Sequence, residues 1–196
     1  MSISTPVPAA APAALSRPPL WAWPLAILLG FPIGGLIADV IVGPIDSFGA
    51  ALAGGLIAGA VIGTAQWLAL KQLVPWLWIA ATSVGMAAGL AVGAALVDYG
   101  IGRGDLMLMG AVTGAGVGGL QALVLARQRI PGAVWWAVAN PPVWALAWLV
   151  SSYVLSSNVD EQFTNFGASG ALLFAILTGL LLEFLFRRME AQAHTT

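Results

Sequence analysis

The sequence contains no cysteine, and its single histidine, His194, stands close to the end of the chain. Without thiols, disulfides, thiolate metal sites and cysteine nucleophiles are excluded. Without an earlier histidine, imidazole ligation of haem or of a chlorophyll-type pigment inside the fold is excluded too. We therefore expect no metal site and no covalently bound cofactor.

Charged side chains are also scarce. They make up 8% of the 196 residues, whereas hydrophobic residues make up 60%. Soluble domains carry about 25% charged residues, so this composition predicts a protein embedded in the lipid bilayer. The formal net charge of −1 comes without a basic cluster, so nucleic acid is not an expected partner.

Six apolar runs are each long enough to cross a membrane as a helix. The predicted fold is therefore all-α, a compact bundle of six transmembrane helices over residues 20–187. A Pro/Ala-rich tail, residues 1–19, precedes the bundle, and a short polar tail, residues 188–196, follows it. The predicted spans are Leu20–Val42, Phe48–Leu70, Trp76–Leu96, Leu106–Ala126, Ala133–Ser152 and Gly167–Phe186.

The basic residues are distributed unevenly about these spans. Six of the seven fall on one side, and only Arg103 falls on the other. The positive-inside rule then predicts that both ends of the chain lie in the cytoplasm, and we expect the protein in a bacterial inner membrane. Most tryptophans fall on the same side, as in an interfacial belt. They are Trp21, Trp23, Trp67, Trp76, Trp78, Trp135 and Trp136.

Small residues recur at every fourth position in most of the spans. This spacing places them on one helical face, where missing side chains let two backbones approach closely. The pattern predicts tight helix packing. It is clearest at Ala51, Gly55, Gly59 and Gly63, at Gly85, Gly89 and Gly93, and at Gly110, Gly114 and Gly118.

In the fifth span, every fourth position carries a tryptophan or an asparagine instead of a small residue. Pro141 and Pro142 interrupt this stripe. Two prolines remove backbone donors, so a kink or local unwinding is predicted. An aromatic stripe is more typical of lipid-facing or core packing than of a binding wall. It is nevertheless the best candidate here for holding a flat or elongated apolar ligand. Its members are Trp136, Asn140, Trp144 and Trp148.

Two glutamines stand in the same local frame, in GTAQWLALKQ (63–72) and GGLQALVLARQ (118–128). Gln66 and Gln121 each follow a glycine by three residues and precede basic residues. We interpret them first as register pins between helices and also include them in the candidate ligand-binding set. The frame predicts repeated helical hairpins, with Gly179 and Glu183 as a degraded third copy.

The same pattern resembles a broad group of uncharacterised bacterial six-helix membrane proteins. The resemblance covers roughly residues 49–148 and implies no known activity. The second copy departs from the pattern, because Ala122 stands where the first has a tryptophan. The matching residues are Gly63, Gln66, Trp67 and Lys71, then Gly118, Gln121, Arg127 and Trp136.

These patterns favour a function without catalysis, because no internal histidine or lysine could activate a serine or threonine. We expect an accessory or scaffold subunit of a larger membrane complex, of photosynthetic or respiratory type. Such a subunit can hold a carotenoid, a quinone or a lipid, since these ligands need shaped apolar surfaces rather than ligating side chains. The alternative is a passive transporter or channel for a small neutral solute, with Asn140 beside the proline pair as its site.

Overall fold

A computed structural model of the protein describes residues 18, 19, 21–154 and 168–193. All regular structure in these residues is helical, and six helices are long and apolar enough to cross a membrane. The predicted fold class is confirmed, and the chain is a multi-pass membrane protein. His194 and most of the predicted Pro/Ala-rich tail lie outside the described residues. The helices are α1 (Ala22–Val42), α2 (Phe48–Leu70), α3 (Leu77–Leu96), α4 (Arg103–Arg127), α5 (Ala133–Val154) and α6 (Ala168–Ala193).

Helix α4 begins earlier than the hydropathy pattern predicts. It starts at Arg103 rather than Leu106, so its first turn is polar. The Asp105 carboxylate accepts a hydrogen bond from the Gly102 backbone N–H at 3.1 Å. A carboxylate in the first turn satisfies an otherwise unpaired donor and interacts favourably with the helix dipole. Local capping extends the helix beyond its apolar part.

Helix α6 continues past the predicted end of its span at residue 186 and ends at Ala193. The Arg187 guanidinium pairs with the Glu183 carboxylate at 2.8 Å, one helical turn away. Such pairs stabilise a helix that has left the apolar region. The polar segment predicted as a tail is thus helical through Ala193.

The six helices form a ring in chain order. Each packs against its neighbours in the sequence, and α6 packs against α1 to close the ring. We name the end at which α1, α3 and α5 begin the near end, and the opposite end the far end. The contacts of α6 with α5 and α1 are less extensive than those between the other neighbouring helices.

Glycines bring the first five helices into close contact. A Cβ atom on Gly89 of α3 would lie 2.6 Å from Cα of Thr113 on α4, and one on Gly114 of α4 would lie 2.7 Å from the Asn140 carbonyl on α5. No side chain fits at such distances. In each case the glycine face of one helix meets the next helix in the chain. The contributing residues are Gly30 and Gly34 on α1, Gly55, Gly59 and Gly63 on α2, Gly85, Gly89 and Gly93 on α3, and Gly110, Gly114 and Gly118 on α4.

The two seams of α6 are built differently. Helix α5 has no glycine to offer α6. Gly179 of α6 faces α1, but a Cβ there would meet only Trp23 Cδ1, at 3.8 Å. That distance is an ordinary van der Waals contact, so Gly179 does not bring the two backbones together. At this position side chains make the contact, and the Trp23 indole donates to the Thr178 hydroxyl at 2.9 Å.

Helix α5 remains helical through Pro141 and Pro142. The predicted unwinding does not occur, whereas the kink stays a prediction. Two missing donors cost only two ladder hydrogen bonds, and close packing on α4 holds the segment in place. The Asn140 side chain donates from Nδ2 to the Trp136 carbonyl at 2.7 Å, and not to the carbonyls of Ala137 and Val138, whose helical donors the prolines remove.

A matched pair of glycine substitutions in α4 tests the packing. Gly114→Ala should lower the free energy of unfolding by about 1–3 kcal/mol, because the new methyl group collides with the α5 backbone. Gly119→Ala places its methyl group in open space, so it should leave stability unchanged or raise it by up to about 1 kcal/mol. Denaturant titration in detergent measures both. Equal effects would contradict the assignment of the α4–α5 contact to glycine.

Candidate functional site

A connected set of five polar and aromatic side chains lies inside the ring near its near end. Gln66 Oε1 accepts hydrogen bonds from Trp78 Nε1 and from Gln121 Nε2, each at 3.0 Å. Gln121 Nε2 also donates to Thr82 Oγ1, and Gln121 Oε1 accepts from Trp136 Nε1, both at 2.8 Å. We name these five residues the glutamine network. It joins α2, α3, α4 and α5, and each member is at most 1% exposed.

Glycines explain how the glutamines reach their partners. Gly63 lies one turn before Gln66, and a Cβ on it would stand 2.9 Å from the Thr82 side chain on α3. Gly118 holds the same position before Gln121, and its Cβ would overlap the Asn140 side chain on α5. The missing side chains bring the next helix within hydrogen-bond reach of each amide. The G-x-x-Q spacing therefore combines a glycine that allows close helix packing with a glutamine that forms hydrogen bonds across the same contact.

The glutamine network is electrically neutral and largely satisfied. An interhelical hydrogen bond in a membrane contributes only about 0.6–2 kcal/mol, but an amide left unpaired there costs more. Such a network fixes the register and rotation of helices. It contains no ionisable group that could take up or release a proton near neutral pH.

A third tryptophan, like the two in the glutamine network, donates its indole N–H to the helix that precedes its own around the ring. Trp78 and Trp136, at the starts of α3 and α5, donate to glutamines on the preceding helix, and Trp23 of α1 donates to Thr178 of α6. The sequence pattern pointed instead to Glu183 for a third copy, and that residue pairs with Arg187. The sequence pattern missed Thr178, because this residue stands immediately before Gly179, whereas each glutamine stands three residues after its glycine. The hairpin repeat as a whole stays a prediction.

The tryptophans at the near end differ in exposure. Trp21, Trp76 and Trp135 are 64%, 67% and 48% exposed, as an interfacial belt requires. Trp67 is partly buried. Three more are buried, and the Trp136 ring contacts the other two rings at centroid distances of 5.9 and 5.8 Å. Part of the predicted belt is therefore core. The buried members are Trp23, Trp78 and Trp136.

The middle of the ring is filled by a second group of aromatic rings. Trp144 of α5 contacts Phe31 of α1 and Phe174 of α6, each at a centroid distance of 5.5 Å. The two phenylalanine rings contact each other at 5.2 Å. We name these three residues the central aromatic cluster. It holds α1, α5 and α6 together where glycine contacts end.

The predicted α5 stripe faces the interior along its whole length. Asn140 and Trp144 are fully buried, and Trp148, 2% exposed, lies against Gly110 of α4. Asn140 Oδ1 has no hydrogen-bond partner in the described part of the chain. The stripe joins the glutamine network through Trp136. All six predicted site residues are thus interior, but Trp148 lies more than two turns away from the network.

Two apolar grooves flank the start of α1 at the near end. The α1/α2 groove has a volume of about 410 Å³, and the α1/α6 groove has a volume of about 540 Å³. Neither includes any of the six predicted site residues. The first is lined by Leu25, Ala26, Ala65 and Leu68, with Lys71 at its edge. The second is lined by Trp23, Ala175, Gly179, Leu180 and Phe186, with Glu183 and Arg187 at its edge.

No protein-family model, no curated protein and no solved structure matches this chain. The resemblance to six-helix bacterial membrane proteins therefore stays a prediction. Function has to be inferred from the ring, the glutamine network, the α5 stripe and the two grooves.

Removing the central amide tests the glutamine network. Gln121→Met should lower the free energy of unfolding by about 0.6–2 kcal/mol for each lost hydrogen bond, because Gln66, Thr82 and Trp136 all lose a partner. Gln128→Met, at an exposed position after α4, is the control and should change stability little. Denaturant titration measures both variants. Equal stability of Gln121→Met and the native protein would contradict a structural role for the network.

Proposed function

We propose that this protein is a non-enzymatic accessory subunit of a larger membrane complex, of photosynthetic or respiratory type. In this proposal it holds an elongated apolar molecule, such as a carotenoid, a quinone or a lipid, in the α1/α6 groove. The single observation that carries the proposal is that an apolar groove of about 540 Å³ lies at the seam between α1 and α6, where the helix contacts are less extensive than in the rest of the ring.

The lining of the groove suits an apolar ligand. Ligand sites commonly have volumes of about 300–1,000 Å³ and are mainly apolar. The Trp23 indole is held in place by its bond to Thr178 and supplies a rigid aromatic surface. Gly179 lies beside the indole and also lines the groove, and a Cβ there would stand in ordinary contact with Trp23 Cδ1 at 3.8 Å. A flat ring or a polyene chain can pack against the indole without any ligating side chain.

The edge of the groove is polar. Glu183 and Arg187 form an ion pair there, and the Arg187 side chain is 75% exposed. A ligand with one polar end, such as a quinone head group or a lipid head group, would place that end at this edge. The remainder would follow the apolar lining toward the middle of the ring.

The character of the interior supports a role without catalysis. The buried polar side chains of the described residues are amides and hydroxyls, which carry no charge near neutral pH. They chiefly bond to each other or to their own helices. They are Gln66, Thr82, Ser83, Thr113, Gln121, Asn140, Ser151, Ser152 and Thr178.

The charge distribution supports an orientation. Basic residues gather at the near end, where α2, α4 and α6 finish. In this proposal the near end faces the cytoplasm and the membrane is a bacterial inner membrane. Far-end charges are mainly acidic, with Arg103 as the exception. The near-end cations are Lys71, Arg127, Arg129, Arg187 and Arg188.

A substitution that fills the α1/α6 groove tests whether a ligand binds there. Gly179→Leu should leave the ring folded, because its Cβ makes only an ordinary contact, yet it should displace a molecule from the α1/α6 groove. Gly119→Leu, at an open position on α4, is the matched control. Native mass spectrometry and absorption spectra of protein purified in mild detergent compare the bound molecules. Equal ligand content in both variants would contradict this site.

A second candidate is a passive pathway for a small neutral solute, and one observation favours it. Asn140 Oδ1 lies fully buried within the ring without a hydrogen-bond partner among the described residues. A solute donor could occupy that position. The central aromatic cluster fills the neighbouring part of the ring and would have to move before anything passed.

Flux measurements test this second candidate. Asn140→Leu should abolish uptake of small neutral solutes into liposomes if the pathway exists, because it removes the free acceptor while retaining a similar shape. Thr113→Val is the control, since the buried Thr113 hydroxyl bonds only to the Met109 carbonyl of its own helix. Uptake by the native protein that survives Asn140→Leu would eliminate Asn140 as the site.

A further inference from the structure

Two buried polar atoms near the far end of α5 have no hydrogen-bond partner among the described residues. Trp148 is 2% exposed and Ser151 is 6% exposed. Neither Trp148 Nε1 nor Ser151 Oγ has a hydrogen-bond partner within residues 18, 19, 21–154 and 168–193. Three residues apart on a helix, they share a face and are separated by a rise of about 4.5 Å.

Unlike most buried serines and threonines of the ring, Ser151 does not donate its hydroxyl to a carbonyl of its own helix. The hydroxyls of Thr82, Thr113 and Thr178 donate to carbonyls four residues earlier, at 2.9, 2.8 and 2.6 Å. Ser152 donates to a carbonyl three residues earlier, at 2.7 Å. The same back-bonding is open to any helical serine. Ser151 does not use it, so its hydroxyl is directed elsewhere.

Packing against α4 fixes the position of the Trp148 indole. A Cβ on Gly110 of α4 would lie 3.1 Å from both Cγ and Cδ1 of Trp148, so the ring sits in the space left by that glycine. The three buried tryptophans at the near end all donate their N–H groups, at 2.8–3.0 Å. Close packing thus fixes the Trp148 N–H in a direction in which no protein acceptor is found among the described residues.

An N–H group buried in an apolar environment without a partner is unfavourable, and native interiors rarely retain one. We propose that an oxygen atom that belongs to none of the described residues, from a bound water or an apolar cofactor, occupies this position, accepts a hydrogen bond from Trp148 Nε1 and exchanges one with Ser151 Oγ. A third unpartnered hydroxyl, that of Ser169, lies at the same end of the ring near the start of α6.

The chemistry of the three groups limits the occupant. All are neutral, and the indole can only donate. The occupant therefore has an oxygen that accepts at least one hydrogen bond, and burial without a counter-charge disfavours a charged one. An ordered water fits, since buried waters usually make two to four hydrogen bonds, and so does a carbonyl or hydroxyl oxygen of an apolar cofactor. The site lies at the opposite end of the ring from the α1/α6 groove, so it stands whether or not the proposed function is right.

Indole N–H resonances provide a direct test. In protein labelled with ¹⁵N-tryptophan, the Trp148 indole proton should resonate downfield, among those of Trp23, Trp78 and Trp136, whose partners are known. Trp148→Phe assigns the signal by its loss. A Trp148 signal clearly upfield of those three would overturn the proposal, because the N–H would then have no acceptor.

A matched pair of serine variants tests whether the two groups share one occupant. Ser151→Ala should shift the Trp148 indole signal, because the bridging oxygen loses one of its partners. Ser152→Ala should leave it in place, since Ser152 bonds to its own helix. No shift in either variant, or an equal shift in both, would contradict a shared oxygen.

The same signal identifies the source of the oxygen. Cross-relaxation between the Trp148 indole proton and the solvent water resonance indicates a bound water. A downfield signal that moves upfield after organic extraction and reconstitution, and returns when the extract is added back, indicates a cofactor oxygen. Both results support the site and separate its two occupants.

Discussion

Close approach of neighbouring backbones is the constraint on which the rest of this protein depends. Lipid gives two helices no hydrophobic reason to associate, so van der Waals contact has to hold them together. Glycines on α1 to α4 provide it by removing side chains that would otherwise collide with the next helix. The glutamine network depends on this approach, because an amide reaches a partner on the adjacent helix only when the two backbones lie close. The Trp148 indole likewise occupies a space that Gly110 leaves empty.

Aromatic residues connect α6 to its neighbours through side-chain contacts. Helix α5 has no glycine, and the central aromatic cluster fills the space between α1, α5 and α6 with large rings. Close packing and ring packing thus divide the structure into a tightly joined arc, α1 to α5, and a looser sixth helix. The α1/α6 groove lies at this boundary. A ligand would bind there at little cost to the remaining contacts.

Much of the fold could be predicted, because length and hydropathy are local properties and the solvent is lipid. Most helix ends follow the apolar runs. The early start of α4 is favoured by a capping carboxylate, and α6 continues into a polar segment, which hydropathy does not detect. The glutamines were recognisable because each repeats the spacing to its glycine. Thr178 was not, since its role depends on Trp23, 155 residues away. The inward orientation of the α5 stripe also depends on neighbours, and a period of four cannot tell a lipid-facing face from a buried one.

The ring topology bears on how the chain assembles. Five of the six seams join helices that follow one another in the sequence, so each helix finds its partner in the one synthesised just before it. Loop-closure entropy is small for such neighbours and large for the pairing of α6 with α1. An arc of five helices can therefore form during insertion into the membrane, and the last helix completes it. The closing contact includes the Trp23–Thr178 hydrogen bond and the Phe31–Phe174 ring contact and is the least extensive in the ring. The final step of assembly is therefore the least strongly driven and the most readily reversed.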